Sequence, residues 1–296
     1  MPHMTHASSL KTTAIRYILA STLLYVAGDI LIKSHLKSLP AIEVVLFRNV
    51  FGLLALLALS GFKGISLWGE KPWLLYSRGM FGVLSLIIFY YLISHSALAN
   101  AVVFLQSAAI FTALFAYMQS AEKLSAWQVV ALLLGLVGVG LVVKPNVQLS
   151  PDALAGVLLA VVSALAMTSI KELNKHYNAN SIVCSYFMVG IIFPAGLLAY
   201  NAHQHVALVP YLQGEFQMPG AWLLMVLAAL ALSTTLGQLY KTKAYAMHKA
   251  GVISTLSYSR IAFALVAGLA LGDALPDGWA MLGMGLIVWS AWRAGK

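Results

Sequence analysis

The chain is 296 residues long, 61% hydrophobic and only 9% charged, with a formal net charge of +9. A soluble domain carries about 25% charged residues to keep its surface hydrated, so this composition excludes a soluble enzyme, a disordered chain and a nucleic-acid-binding protein. It is typical of an integral membrane protein. The single cysteine, Cys184, excludes an intramolecular disulfide and a multi-cysteine metal cluster.

Ten apolar runs are long enough to cross a hydrocarbon core of roughly 30 Å, which needs about 20 helical residues. In chain order they cover residues 14–34, 41–61, 74–94, 98–119, 126–143, 153–171, 181–201, 220–241, 250–271 and 277–293. Of the nine prolines, only Pro194 lies deep in a run, where it predicts a kink in the seventh span. We therefore expect an all-α integral membrane protein with ten transmembrane helices.

Lysines and arginines are distributed unevenly between the two sides of these spans. Thirteen lie on the side that holds both termini, and three lie on the opposite side, namely Lys33, Lys37 and Lys144. Because basic residues are enriched in cytoplasmic loops, both termini of this multi-pass protein are predicted to lie in the cytoplasm, with the spans in the cytoplasmic (inner) membrane. The basic excess therefore reports topology and gives no reason to expect a nucleic-acid partner.

The two halves of the chain match weakly but in register. Residues 85–101 align with 234–250 at a constant offset of 149, and the connectors 121–126 and 272–277 each precede a glycine-bearing span. This pattern divides the chain into two repeats of five spans, residues 1–146 and 147–296. An odd number of spans inverts the second repeat, as in many secondary transporters that bind substrate near mid-membrane. We expect two inverted five-helix repeats around a central cavity.

Two motifs point to a known family. A short acidic connector, Ala121–Gln128, leads into the glycine-rich stretch Gly135–Pro145, and the pairs Arg48-Asn49 and Arg78-Gly79 open spans two and three. In these features the sequence resembles the EamA-type carriers of the drug/metabolite transporter superfamily, over essentially the whole chain. The resemblance implies a ten-helix carrier with cytoplasmic termini that moves metabolites, mostly outward. Many members carry a proline in span four, whereas Phe104–Ile110 here contains none.

Ionisable residues inside a membrane span are energetically expensive and suggest function. Asp29, Arg48 and Arg260 are predicted to lie inside spans. At roughly 1.5 Å per residue, Asp29 lies about 9 Å and Arg48 about 10–12 Å from the outer ends of adjacent spans. The simpler interpretation is an Asp29–Arg48 ion pair, because buried charges are normally paired. The alternative is that Asp29 binds and releases a proton during transport.

Arg260 is predicted to lie close to mid-membrane, roughly 15 Å from the cytoplasmic edge, with no acidic residue at that depth in the second half. We expect it to bind a substrate carboxylate or phosphate, assisted by Tyr258, Ser259, Gln106 and Ser107. The alternative is a structural arginine that binds backbone carbonyls at a helix break.

Two further features follow from the repeat. Tyr91 and Tyr240 occupy equivalent positions, and inversion places them at opposite mouths of a central path, where they would act as gates. The alternative is an interfacial role, because tyrosine is enriched at both membrane surfaces. The glycines of spans five and ten favour close helix packing and make these spans a candidate homodimer face.

The sequence contains no Gly-x-Ser-x-Gly elbow, no HExxH motif and no carboxylate pair within a span, so we expect neither an enzyme nor a bound cofactor or metal. The leading hypothesis is a secondary carrier that exports a small amphipathic metabolite, such as an amino acid or derivative, by alternating access. Proton coupling belongs to the alternative role of Asp29. An alternative is uptake of a nucleoside-bearing or anionic metabolite such as S-adenosylmethionine. A lipid-headgroup flippase ranks lower, because the polar residues within the spans are isolated.

Overall fold

The computed structural model describes residues 2–60, 64–120, 151–204, 218–247 and 256–294, together with isolated residues between 127 and 141 and at 216 and 253. Over these residues all regular structure is helical. The helices are α1 (Pro2–His35), α2 (Ala41–Ser60), α3 (Pro72–His95), α4 (Leu98–Ser120), α5 (Pro151–Leu173), α6 (Ala179–Gln204), α7 (Ala221–Met247), α8 (Ser259–Ala270) and α9 (Gly278–Ala294).

Six of the described helices are long and apolar enough to cross a membrane, namely those within α1, α2, α3, α5, α6 and α7. Shorter apolar stretches lie in α4, α8 and α9. The fifth predicted span, 126–143, lies mostly outside the described residues, as does the beginning of the ninth. The all-helical architecture with six clear spans agrees with an integral membrane protein.

Residues flanking the helices explain where several of them begin and end. Pro72 and Pro151 occupy the first positions of α3 and α5, where a missing N–H is tolerated. The carboxylate of Asp277 accepts a hydrogen bond from the Ala280 amide at the start of α9. The connector after α8 turns at Gly272, whose φ of +88° is a left-handed conformation that suits glycine. The α6 helix continues through Pro194.

Helices from the two halves of the chain pack against each other throughout the molecule. The α1 helix lies along α7, and α3 lies along α5. The α2 helix packs on both α6 and α7, α3 also contacts α6, α4 packs on α5 and α8, and α1 contacts α8. The interior is therefore an interface between the two halves, and a cavity at its centre has walls from both.

One glycine contact bears on the predicted dimer face. A Cβ atom at Gly138 would lie only 2.7 Å from the carbonyl oxygen of Gly283 in α9. This close approach joins the fifth predicted span to the tenth within one chain. The homodimer through these spans stays a prediction.

Candidate substrate cavity

A cavity of about 80 Å³ lies among the packed helices of the two halves, enough for several water molecules. Its charged lining residues are Asp29, Arg48, Arg78, Lys241 and Arg260. Four basic side chains therefore face this space against one carboxylate. Aromatic rings from α1, α3 and α6 complete much of the wall, so the cavity combines positive charge with apolar contact surface.

Asp29 pairs with Arg260, not with Arg48. The Nη2 atom of Arg260 lies 2.8 Å from Oδ1 and 2.7 Å from Oδ2 of Asp29, and Nε lies 3.2 Å from Oδ2. Both side chains are buried, and the guanidinium carbon also lies 4.9 Å from the ring centre of Tyr25 and 5.1 Å from that of Phe89. The cation is thus neutralised by a carboxylate and flanked by two aromatic rings.

This geometry corrects two predictions: the Asp29–Arg48 ion pair is wrong, and Arg260 is not unpaired. Both predictions assumed a partner in an adjacent span or within one half of the chain, whereas α1 packs on α8 across the two halves. The depths of Asp29 and Arg260 differ by only about 6 Å when both are counted from the outer end. The long arginine side chain spans that difference.

Arg48 is held by neutral partners. Its Nε donates to Thr234 Oγ1 at 3.0 Å, and its Nη1 donates to the Tyr186 hydroxyl at 2.8 Å and to Asn49 Oδ1 at 3.4 Å. These bonds fix the guanidinium between α2, α6 and α7. Arg48 therefore joins helices of both halves while it contributes its charge to the cavity.

Arg78 makes the fewest hydrogen bonds to the described residues of the three cavity arginines. Its side chain is 3% exposed, yet among the described residues Nε and Nη1 have no hydrogen-bond partner. The guanidinium carbon lies 4.9 Å from the ring centre of Tyr186. A buried N–H donor without a partner is energetically expensive, and more so when it is charged.

Further polar groups line the same cavity. The Tyr25 hydroxyl donates to Gln238 Oε1 at 2.6 Å, and Lys241 Nζ lies 5.9 Å from the Tyr25 ring centre. The Ser163 hydroxyl of α5 is buried and, in the part of the chain that the structure describes, has no hydrogen-bond partner. Over the same residues, no three His, Cys, Asp or Glu side chains are grouped as metal ligands would be.

Sequence reasoning missed Arg78 and Lys241 as cavity residues, because both lie close enough to span ends to be counted as cytoplasmic charges. Without them the basic residues divide eleven to three, so the predicted orientation is unchanged. The Arg78-Gly79 motif that carries the family resemblance was the available signal. A count of residues from the span end could not show that Arg78 lines an internal cavity.

Four residues expected beside Arg260 lie outside the lining of this cavity. Gln106 Nε2 donates to the Ser257 carbonyl at 2.7 Å, and Ser107 Oγ donates to the Val103 carbonyl at 2.8 Å. Ser259 Oγ donates to the Leu256 carbonyl at 2.8 Å. The remaining residue, Tyr258, is buried, and its hydroxyl has no partner among the described residues. Substrate binding by these four residues stays a prediction, because none of them lines the cavity in this conformation.

The two candidate gate tyrosines also lie outside the cavity lining. The Tyr91 hydroxyl donates to Asp152 Oδ1 at 3.0 Å and so joins α3 to the start of α5. The Tyr240 ring stacks on Tyr17 with centroids 5.3 Å apart and joins α7 to α1. Each tyrosine therefore connects the two halves, and a gating role stays a prediction.

A partly buried ion pair joins the halves at the end of the molecule where α1, α3 and α8 finish. Lys33 Nζ lies 2.6 Å from Asp273 Oδ1. Lys33 also donates to the Ser96 carbonyl at 3.1 Å, and Asp273 Oδ2 accepts from the Leu98 amide at 3.0 Å. The network thereby links α1, the α3–α4 connector and the α8–α9 connector.

An exposed network joins the halves at the opposite end, where α3 begins and α5 finishes. Glu172 lies 2.6 Å from Lys71, 2.6 Å from Lys175 and 3.4 Å from His176. Hydrogen bonds from Lys175, then Lys71, then His176 lower the pKa of the Glu172 carboxyl from 4.5 to about 2. Both ends of the molecule therefore carry ion pairs that cross between the halves.

Comparisons with known proteins agree with this architecture. Residues 12–144 match the model of the EamA-like transporter family. An uncharacterized transporter of Helicobacter pylori is 28% identical over 282 residues, covering 93% of this chain and 92% of its own length. The pseudopaline exporter CntI of Pseudomonas aeruginosa is 28% identical over 284 residues and 94% of each chain. The mouse solute carrier family 35 member G1 is 25% identical over 287 residues, or 90% and 74% of the two chains.

A protein of known crystal structure aligns over 98% of this chain and 96% of its own, with a TM-score of 0.60 and 18% sequence identity. At that identity the likeness concerns the fold alone. The match of residues 12–144 to the EamA-like transporter family and the similarity to transporters over nine-tenths of the sequence support the assignment of this membrane protein to the drug/metabolite transporter superfamily.

Proposed function

We propose that this transporter is a secondary carrier that exports a small amphipathic metabolite, an amino acid or derivative, across the cytoplasmic membrane by alternating access. The observation that carries the proposal is the unequal charge of the cavity: four basic side chains face one carboxylate, and that carboxylate is occupied by Arg260. A substrate that enters this space must be compatible with an excess of positive charge.

Electrostatics favours an anionic group on the substrate. Removing a cation from water is expensive unless a counter-ion or hydrogen bonds replace the solvent. Arg48 has neutral partners, and no carboxylate among the described lining residues pairs with Arg78 or Lys241. A carboxylate on the substrate compensates this charge, while the rings of Phe89 and Tyr90 contact its apolar part.

The packing pattern supports two inverted repeats, residues 1–146 and 147–296. Helices α1–α4 correspond to predicted spans one to four, and α5–α8 correspond to spans six to nine. If each span is exchanged for its equivalent in the other repeat, the contact of α1 with α7 becomes that of α5 with α3. In the same way α2 with α7 becomes α6 with α3, and α4 with α5 becomes α8 with α1. All three counterparts occur in the structure. Inverted repeats that meet at a central site favour alternating access.

The ion pairs at the two ends fit this mechanism. Lys33 belongs to the first repeat and Asp273 to the second, and the same holds for Lys71 and Glu172. Opening either end by movement of one repeat against the other would break the pairs at that end. The hydrogen bond of Tyr91 with Asp152 and the stacking of Tyr240 on Tyr17 also connect the two repeats. Each of these contacts would break when the end at which it lies opens.

Direction and energy source complete the proposal. The similarity to a protein named as an exporter supports outward transport, and the uneven distribution of basic residues favours cytoplasmic termini. Asp29 is the carboxylate that lines the cavity among the described residues. A proton coupled to transport would bind there and would release Arg260 from its pair.

Counterflow in proteoliposomes tests the proposal. Purified protein is reconstituted, and uptake of labelled amino acids, nucleosides and sugars is measured with and without a pH gradient. We expect at least one amino acid to accumulate above the level in protein-free vesicles. In cells, expression should raise resistance to a toxic analogue of that amino acid. Accumulation of nucleosides or sugars alone, no accumulation at all, or sensitisation to the analogue would contradict the proposal.

A further inference from the structure

The three arginines that line the cavity differ in what already holds them. Arg260 makes three close contacts with a carboxylate, and Arg48 makes three hydrogen bonds to neutral groups. Arg78 lies against a ring and, among the described residues, has no hydrogen-bond partner at Nε or Nη1. We infer that Arg78, together with the Ser163 hydroxyl, forms the subsite that binds the substrate carboxylate, an inference that rests on the proposed function.

Donor availability favours Arg78 over Arg260 for this role. A guanidinium carries five N–H donors and binds a carboxylate best through two parallel hydrogen bonds. Arg260 can offer such a pair only after its contacts with Asp29 are broken. Arg78 can bind an incoming carboxylate without losing any hydrogen bond to the described residues, and binding removes the penalty of its unpaired donors.

The surroundings of Arg78 orient its guanidinium and leave space beside it. Tyr186 lies against the guanidinium of Arg78, and the Tyr186 hydroxyl is held by Arg48 at 2.8 Å. One turn after Arg78, residue 82 is a glycine. A Cβ there would lie 3.6 Å from Arg78 Nη1 and 2.9 Å from Tyr186 Cε2, so the absent side chain keeps the approach to the guanidinium open.

Ser163 adds a second donor from the other repeat. Its hydroxyl is buried, lines the same cavity and has no partner among the described residues. Ser163 lies on α5, which packs along the α3 helix that carries Arg78. A carboxylate bound by both residues therefore joins the first repeat to the second. Occupancy of the subsite is in this way connected to the relative position of the repeats.

A competition experiment tests the assignment. The probe is the labelled amino acid with the highest wild-type counterflow, and the competitors are the same unlabelled amino acid and its carboxyl methyl ester. For the wild type, we expect the acid to compete at least about 10-fold better than the ester, since a hydrogen bond to a charged group is lost with the ester. In Arg78→Gln the unlabelled acid should compete about 10- to 100-fold more weakly than it does in the wild type, and no better than the ester.

Additional variants keep the test decisive. Arg16→Gln removes an exposed arginine of α1 and should preserve the wild-type preference. Ser163→Ala, which removes one hydroxyl, should weaken competition by the acid several-fold without changing competition by the ester. If Arg78→Gln is inactive, the thermal shift produced by the acid replaces transport as the readout, and it should be lost while the purified variant remains monodisperse.

The outcomes separate the two proposals. If no amino acid accumulates in wild-type vesicles, the proposed function fails. If one accumulates and the preference for acid over ester survives in Arg78→Gln, or is lost in Arg260→Gln instead, only the assignment of Arg78 is overturned.

Discussion

The two sides of the central cavity differ in whether a described carboxylate neutralises their buried arginine. On the side formed by α1 and α8, Arg260 is neutralised by Asp29. On the side formed by α3, α5 and α6, Arg78 lies beside Tyr186 and has donors without partners among the described residues. Both arginines are almost fully buried. The difference indicates that a paired charge here supports the structure, whereas an unpaired charge is available to a ligand.

The largest expected effect follows from removal of the paired carboxylate. Asp29→Asn leaves the Arg260 charge uncompensated, and breaking a buried pair in this way typically destabilises a protein by about 3–5 kcal/mol. We expect a large fall in the melting temperature of the purified protein in detergent. The double variant Asp29→Asn/Arg260→Gln should recover most of the loss. Wild-type stability in the single variant would show that the pair is not structural.

Removal of the unpaired charge should change stability little and transport strongly. Arg78→Gln deletes a buried cation that has no counter-ion among the described residues, so stability should stay within about 1 kcal/mol of the wild type or rise. Transport at a fixed low substrate concentration should fall by about 10- to 100-fold. A loss of stability as large as that of Asp29→Asn would mean that the two sides of the cavity do not differ.

A steric substitution tests the space beside Arg78. In Gly82→Ala the new Cβ would lie 2.9 Å from Tyr186 Cε2, and the buried tyrosine has little room to move because Arg48 holds its hydroxyl. We expect destabilisation by about 1–3 kcal/mol with reduced transport. The matched control is Gly196→Ala in α6, where the Cβ meets nothing within 4 Å. Equal behaviour of the two variants would argue against a confined space at Gly82.

The smallest effect is expected at the exposed network outside the cavity, which gives a reference for a solvated ion pair. Because the pKa of Glu172 is lowered to about 2, its stabilising contribution is present above pH 4.5 and is lost as the pH falls toward 2. Glu172→Gln should therefore lower the melting temperature slightly at pH 6, and the difference from wild type should narrow by pH 3. Salt should also reduce it. A difference independent of pH would contradict this account.

The sequence was sufficient for the membrane class, for most helices and for three of the five charged cavity residues. The predicted partners of Asp29 and Arg260 were wrong because residue counts give depth along a helix and say nothing about which helix packs beside it. Asp29 and Arg260 meet only because α1 contacts α8 across the two halves of the chain. Gln106 was expected near Arg260 on grounds of depth, yet its amide bonds to Ser257 outside the cavity. Arg78 was missed because a position near a helix start does not reveal an internal cavity.

The most direct measurement is the affinity of purified protein for its transported amino acid, determined by isothermal titration calorimetry for wild type, Arg78→Gln and the control Arg16→Gln. The account predicts equal Kd values for wild type and the control, and a Kd about 10- to 100-fold higher for a folded Arg78→Gln protein. A folded Arg78→Gln protein that binds with the wild-type Kd would contradict it.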